Sequence, residues 1–132
     1  MRILGIDYGE KNIGLATAES ETKISLGRAP LRRRTDEQLI SDLQRLILDE
    51  DITEIVVGWP RSLRGTDEAA ARRVKVFSEQ LAAATKRPVY FMDERLSTQA
   101  AQRLKKENSQ ASIDSLSAQI ILQTYLDSLV KK

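Results

Sequence analysis

The sequence has 132 residues, a mass of 14.9 kDa and a formal net charge of +2, which fits a single domain with one hydrophobic core. It contains neither cysteine nor histidine, so disulfides, thiol nucleophiles, Ser-His-Asp catalysis and zinc sites built from Cys or His are excluded. Carboxylates, Lys, Arg, hydroxyls and the backbone remain for site chemistry, and carboxylates suit hard cations such as Mg²⁺ or Mn²⁺.

The apolar runs of the sequence are all shorter than the ~20 residues that cross a bilayer. No basic and apolar leader precedes the first predicted strand, so we expect a cytoplasmic protein with no membrane partner. Local charge says more about partners than net charge does. Arginine and lysine are concentrated in residues 28–34 and 61–75, and such clusters favour a polyanionic partner.

The first predicted strand ends in a lone carboxylate, Asp7. Residues 3–6 are mostly β-formers, and a glycine-containing turn separates them from a second β-rich run over residues 13–18. Burying a carboxylate is costly unless it is paired, hydrated or bound to a metal. Two interpretations of Asp7 stay open at this point: it caps the turn, as Asp commonly does, or it is a ligand.

The N-terminal part predicts a three-strand antiparallel meander, because residues 24–29 alternate like a third, half-exposed strand. Pro30 is expected to end that strand, and residues 32–34 to form a loop. Thr35 and Gln38 then have the spacing of a capping box. The following helix is predicted to reach about Asp49, with an inward face made of Leu39, Leu43, Leu46 and Ile47.

The second half alternates strands and helices. Residues 54–58 and 88–92 predict strands, and the helix between them starts near Thr66, with Ala70, Val74, Phe77 and Leu81 facing inward. This order predicts parallel pairing through right-handed crossovers. We therefore expect residues 1–132 to form one α/β domain. Its five-stranded mixed sheet would combine the antiparallel meander with two parallel strands and carry helices on both faces.

Two more helices are predicted in the last third of the chain. The first begins at Ser97 or Thr98, and the second runs from about Ala111 to Val130. The inward stripe of the last helix is Ala118, Ile121, Tyr125 and Leu129, and one turn before Ala118 the same stripe reaches Asp114. Asp114 either accepts hydrogen bonds from the free N–H groups of the first turn or belongs to a site.

Three acids are expected to meet at one edge of the sheet: Asp7, Glu94 and Asp114. Asp7 and Glu94 follow strands whose carboxyl ends share an edge, where ligands gather in open α/β sheets, and the last helix can begin at that edge. Two carboxylates ~4 Å apart repel by roughly 1 kcal/mol in water and by several times more at an effective dielectric of ~20. The cluster therefore needs a cation or a shared proton.

A carboxylate cluster that binds Mg²⁺ or Mn²⁺ is suited to phosphodiester hydrolysis, because the metal activates water and stabilises the leaving oxygen. Basic side chains near the same edge would then hold the flanking phosphates. The candidates are Lys11, Arg32, Arg33, Arg61, Arg64 and Arg95.

Four sequence segments together resemble the YqgF (RuvX) family over nearly the whole chain. They are Gly5-Ile6-Asp7-Tyr8-Gly9 with Ile13-Gly14-Leu15-Ala16, Val56-Val57-Gly58-Trp59-Pro60 with Gly65-Thr66, Asp93-Glu94-Arg95-Leu96-Ser97-Thr98, and Ile113-Asp114 with residues 121–127. This family has a ribonuclease H-like fold. Its members are described as Holliday-junction resolvases and, in bacteria, as nucleases that mature the precursor of the small-subunit ribosomal RNA.

The resemblance implies that Asp7, Glu94 and Asp114 are catalytic and metal-holding, with Asp93 and Arg95 beside them. It implies a nuclease that processes the 5′ end of the ribosomal RNA precursor. The alternatives are a resolvase for branched DNA and a non-catalytic nucleic-acid-binding factor in transcription or ribosome assembly. Structured RNA, branched DNA and ribosomal precursor particles are the expected partners, and monomer and weak homodimer both stay open. Three sites depart from the family pattern: Asn12, Trp59 and residues 115–118.

Overall fold

The computed structural model describes residues 1–9, 11–32, 34–60, 68–93 and 113–130, without the side chains of residues 113, 114 and 130. The strands of this part are β1 (Arg2–Tyr8), β2 (Asn12–Glu19), β3 (Ile24–Arg32), β4 (Ile52–Trp59) and β5 (Val89–Asp93). The helices are α1 (Asp36–Asp49), α2 (Glu68–Thr85) and α3 (Ile113–Val130).

The five strands form one mixed sheet in the order β3-β2-β1-β4-β5. β2 pairs antiparallel with both β1 and β3, which is the predicted meander. β1 pairs in parallel with β4, and β4 with β5, as the crossover connections require. The predicted sheet is confirmed, and it makes β1 the central strand.

Side chains of β1 alternate between two hydrophobic cores. Leu4 and Ile6 belong to a core with buried residues of α1 and α2, including Leu43 and Phe77. Ile3 belongs to a second core, formed with the buried residues Ala118, Ile121, Leu122 and Leu126 of α3. Helices therefore cover both faces, as predicted, and a fully buried side chain of this size contributes about 1.5–3 kcal/mol to stability.

Two glycines of the first hairpin permit close backbone contacts. A Cβ on Gly5 would lie 2.8 Å from the Cβ of Leu122 and 3.2 Å from the carbonyl oxygen of Ala118, so glycine lets α3 pack directly on β1. A Cβ on Gly9 would lie 2.4 Å from the carbonyl oxygen of Asn12, so the turn from β1 to β2 also requires glycine. The glycine pattern thus reflects contacts of the fold itself.

Helix α1 begins and ends where its sequence predicts. Thr35 is the N-cap, and its hydroxyl oxygen accepts a hydrogen bond from the backbone N–H of Gln38 at 3.1 Å. At the other end, the Arg28 guanidinium donates to the carboxylate of Glu50 at 2.6 Å. This hydrogen bond holds the pKa of the Glu50 carboxyl below its usual range, and nearby Arg2 acts in the same direction.

The predicted end of β3 at Pro30 is wrong, because the strand continues to Arg32. β3 is an edge strand, so the N–H that proline lacks has no ladder partner to lose. The pairing also shifts by one residue between Ile13 and Leu15 of β2, where β3 accommodates an extra residue. Arg32 consequently ends a strand instead of starting a loop.

The predicted inward stripe of α3 is correct at its centre and wrong at its end. Leu129 is 42% exposed, whereas Leu122 and Leu126 are buried. The Tyr125 hydroxyl donates to Glu54 near the start of β4, so Leu129, one turn further, lies beyond the sheet. The helix predicted from Ser97 or Thr98 falls outside the described residues. Among the described helices, none has the length and apolar character needed to cross a membrane.

Candidate functional site

The predicted edge is formed by the ends of three neighbouring parallel strands. Ile6 of β1 pairs with Val57 of β4, so Asp7 is level with Gly58. Gly58 in turn pairs with Met92 of β5, one residue before Asp93. At ~4.8 Å between neighbouring strands, the end of β5 lies about 10 Å from Asp7 across the sheet.

Asp7 lies on the face of the sheet that α3 covers. Strand residues alternate between faces, and both Ile3 and Gly5 contact α3, so Asp7 continues that side of β1. Asp7 is half-buried. Tyr8, the next residue, faces the opposite side, where its ring packs edge-on against Phe77 with centroids 4.4 Å apart.

Helix α3 begins at the same edge as Asp7. The Ser115 hydroxyl donates to the carbonyl of Arg28 at 2.6 Å, and two turns later Gln123 donates to the carbonyl of Lys23. Since β3 is parallel to β1, α3 runs antiparallel to β1 and starts near its carboxyl end. The backbone of Asp114, in the first turn of α3, is therefore at the predicted edge.

Asp93 ends β5 and pairs in register with Trp59 of β4. Two residues earlier, Phe91 packs edge-on against Trp59 with centroids 5.0 Å apart, and Trp59 packs on the core beneath α1 and α2. Strand alternation places Asp93 on this same face, opposite Asp7. Met92, between Phe91 and Asp93, packs against the core of α3.

Several predicted site residues lie outside the described residues. These are Glu94, Arg33, Arg61, Arg64 and Arg95, and of Asp114 only the backbone is described. Within the described ranges no three acidic residues come together as a metal-binding group. The three-acid site therefore stays a prediction. Of the predicted phosphate-binding residues, Lys11 is exposed beside the β1–β2 turn and Arg32 is exposed at the end of β3.

The sequence did not reveal a cleft between α1 and α2 on the face opposite Asp7. The cleft has a volume of about 360 Å³ and is lined by Tyr8, Asp36, Ala69, Arg72, Arg73 and Val76. The Tyr8 hydroxyl donates to the carboxylate of Asp36 across its floor. The signal available in the sequence was Tyr8, a polar aromatic residue at the end of a strand. Its partner Asp36 is 28 residues away in sequence, so no local pattern links the two.

All three described helices begin at this edge of the sheet. Asp36 of α1 contacts Tyr8 at the end of β1, Ala69 of α2 lines the cleft above Tyr8, and α3 starts beside Arg28. The N-terminal end of a helix carries a partial positive charge and free N–H groups. The edge therefore combines a half-buried carboxylate with the N-terminal ends of three helices.

Known proteins resemble this chain over almost its whole length. A family model described as "RuvX: Holliday junction resolvase" matches residues 1–128. The "Putative pre-16S rRNA nuclease" of Dictyoglomus thermophilum is 37% identical over 97% of this chain and 96% of its own length. Its namesake from Dictyoglomus turgidum is 35% identical over 98% of this chain and 96% of its own.

The fold also resembles that of a solved structure. RuvC of Thermus thermophilus, in complex with a Holliday junction substrate, superposes on this chain with a TM-score of 0.70. The alignment covers 98% of this chain and 96% of that chain at 12% identity. This likeness confirms the predicted ribonuclease H-like fold.

Proposed function

Because this chain belongs to the RuvX family, we propose that it is a metal-dependent nuclease that matures the 5′ end of the small-subunit ribosomal RNA precursor. The observation that carries the proposal is the position of Asp7. It lies near the carboxyl end of the central strand, on the face covered by α3, where α3 also begins. Ligand sites of open α/β sheets occupy such edges.

The proposed metal ligands are Asp7, Glu94 and Asp114. Oxygen donors of this kind suit Mg²⁺ or Mn²⁺, and Asp7 is half-buried at the edge where ligands of open α/β sheets bind. Glu94 directly follows Asp93 in sequence, and Met92, two residues before it, faces α3 as Asp7 does. Bound at these carboxylates, the ion would supply Lewis-acid chemistry for phosphodiester hydrolysis.

Basic side chains around the proposed metal ligands would hold and orient the substrate. Lys11 and Arg32 are exposed near the edge and are proposed to bind flanking phosphates, together with Arg33, Arg61, Arg64 and Arg95. Guanidinium groups bind phosphate oxygens in pairs, which fixes the register of the backbone as well as its distance. The second candidate substrate is branched DNA, favoured by the description of the matching family model.

A cleavage assay on both substrates tests the proposal. Purified protein is expected to cut a fragment carrying the 5′ precursor sequence of the small-subunit ribosomal RNA, or a four-way DNA junction, when Mg²⁺ or Mn²⁺ is added. Asp7→Asn is expected to lower the cleavage rate by about 100-fold or more while leaving substrate binding intact, because a metal ligand is lost but the shape is kept. Asp49→Asn, the same change on an exposed acid at the end of α1, is the matched control.

Three results would contradict parts of this reading. If Asp7→Asn cuts as fast as the wild type, Asp7 is not catalytic. If the wild type binds both substrates and cuts neither with any divalent metal, the chain is a non-catalytic binding factor. If the protein cuts only the junction, and a dimer makes the two cuts symmetrically, the chain is a resolvase for branched DNA and not a nuclease that matures RNA.

A further inference from the structure

The cleft between α1 and α2 forms a second concave surface beside the proposed active site. Tyr8 forms its floor: the Tyr8 hydroxyl donates to Asp36, and the Tyr8 ring packs on the fully buried Phe77. Tyr8 lies on the face of the sheet away from α3, so its side chain takes no part in packing α3 on β1. The α1–α2 cleft is thus built from one strand end and two helix starts, all at the same edge.

The lining of the α1–α2 cleft matches a sugar–phosphate backbone. Arg72 and Arg73 are exposed on its α2 wall, and Val76, 47% exposed, adds apolar surface next to the Tyr8 ring. Asp36, which lines the cleft from α1, accepts a hydrogen bond from the hydroxyl of Tyr8. Arginine binds phosphate bidentately, so two exposed guanidinium groups on one wall suit a phosphate-bearing ligand.

The cleft lies close to Asp7 but on the other side of the sheet. Asp7 and Tyr8 are consecutive residues with Cα atoms ~3.8 Å apart, and their side chains leave β1 on opposite faces. Ligands on the two faces of one strand end are separated by about one layer spacing, ~10 Å. That distance corresponds to about three nucleotides at ~3.4 Å per nucleotide along a duplex.

We propose that the α1–α2 cleft binds a second stretch of substrate backbone, about three nucleotides from the scissile phosphate, so that the nucleic acid straddles the sheet edge. This inference rests on the proposed nuclease function and adds the path of the substrate. The ligand is the sugar–phosphate backbone that RNA and DNA share. A substrate too short to reach from Asp7 to Arg72 and Arg73 gains nothing from the cleft.

Salt-dependent binding tests this path. The measurement is fluorescence anisotropy without divalent metal, in the Asp7→Asn background, on structured RNA and on a four-way DNA junction. Each phosphate contact contributes about 0.9 to the slope of log affinity against log salt for duplex DNA and about 0.7 for single strands. Removing both arginines by Arg72→Ala with Arg73→Ala is expected to lower the slope by about 1.4–1.8.

Two control variants separate the cleft from general charge. Arg45→Ala with Lys75→Ala removes the same charge from exposed helix positions that do not line the cleft, and is expected to keep the slope. Arg72→Lys with Arg73→Lys keeps the charge and is expected to retain most of the slope. Thermal melting followed by circular dichroism confirms that each variant is folded.

Substrate length provides the second readout. The Arg72→Ala, Arg73→Ala variant is expected to bind a long substrate more weakly than the Asp7→Asn protein from which it is made. On a substrate shortened to within two nucleotides of the cleavage site, the two proteins are expected to bind with equal affinity. Equal salt slopes for this variant and for Arg45→Ala with Lys75→Ala would overturn the proposed role of the cleft, even if the wild type still cuts its substrate. A wild type that binds neither nucleic acid overturns both the cleft and the nuclease function.

Discussion

Replacing Gly5 by alanine tests how closely α3 must pack on β1. The new Cβ would lie 2.8 Å from the Cβ of Leu122 and 3.2 Å from the carbonyl oxygen of Ala118. Carbon atoms prefer ~3.5–4.0 Å, so α3 has to move outward by about 1 Å. Neither neighbour can rotate away, because one is backbone and the other is attached directly to it. Overpacking of this kind costs about 1–3 kcal/mol.

The size of the effect can be expressed as a melting temperature. At about 2.1 cal/mol/K per residue, 132 residues give an unfolding entropy of about 0.28 kcal/mol/K, so 2 kcal/mol lowers Tm by about 7 °C. Calorimetry and urea unfolding measure the loss. Cleavage should fall as well, even well below Tm, since Gly5 is two residues before Asp7 and α3 carries Asp114.

Gly27→Ala is the matched control for Gly5→Ala. Gly27 also lies in a strand that faces α3, but its added Cβ would be 3.4 Å from Oε1 of Gln119 and 3.5 Å from the Cβ of Ser115. Those are ordinary contacts, so its stability is expected to stay within about 0.5 kcal/mol of the wild type. Equal stabilities for Gly5→Ala and the wild type, or equal losses for the two variants, would refute the close packing of α3 on β1.

Three further predictions concern the cap and two ionisable groups. Thr35→Ala removes the N-cap of α1 and is expected to lower the unfolding free energy by about 1 kcal/mol in urea titrations, whereas Thr35→Ser should not. Because Arg28 lowers the pKa of Glu50 in the folded state, the stability advantage over Glu50→Gln is expected to hold above pH 4.5 and to vanish as pH falls below it; a constant difference down to acid pH would contradict this. Burial and Glu54 raise the pKa of the Tyr125 phenol, so ultraviolet titration should show a tyrosine ionising above pH 10.0 that is missing in Tyr125→Phe.

Local signals in the sequence were sufficient to predict most of the fold. The β-rich runs, the capping box at Thr35 and the alternation of strands and helices depend on neighbouring residues, and they led to the correct sheet with helices on both of its faces. The end of β3 could not be predicted in the same way. Whether a strand tolerates Pro30 depends on its being at the edge, which is a property of the assembled sheet.

The interior of α3 shows a second limit of sequence patterns. Residues 116–126 carry apolar side chains on several sides, so the pattern alone did not single out Leu122 and Leu126 over Leu129. Tertiary packing decides which side of α3 is buried. Leu122 packs closely against Gly5, and the sheet ends before Leu129. The cleft at Tyr8 could not be predicted from the sequence for the same reason, because it forms only when α1 and α2 pack over β1.

For the candidate site, the sequence predicted the edge, and the structure adds the distinction between its faces. Asp7 and Met92 face α3, whereas Tyr8, Phe91 and Asp93 face α1 and α2. Strand alternation therefore assigns Asp93 to the face away from Asp7. Asp93→Asn should then reduce cleavage much less than Asp7→Asn, and equal losses would show that both faces of the edge take part in catalysis.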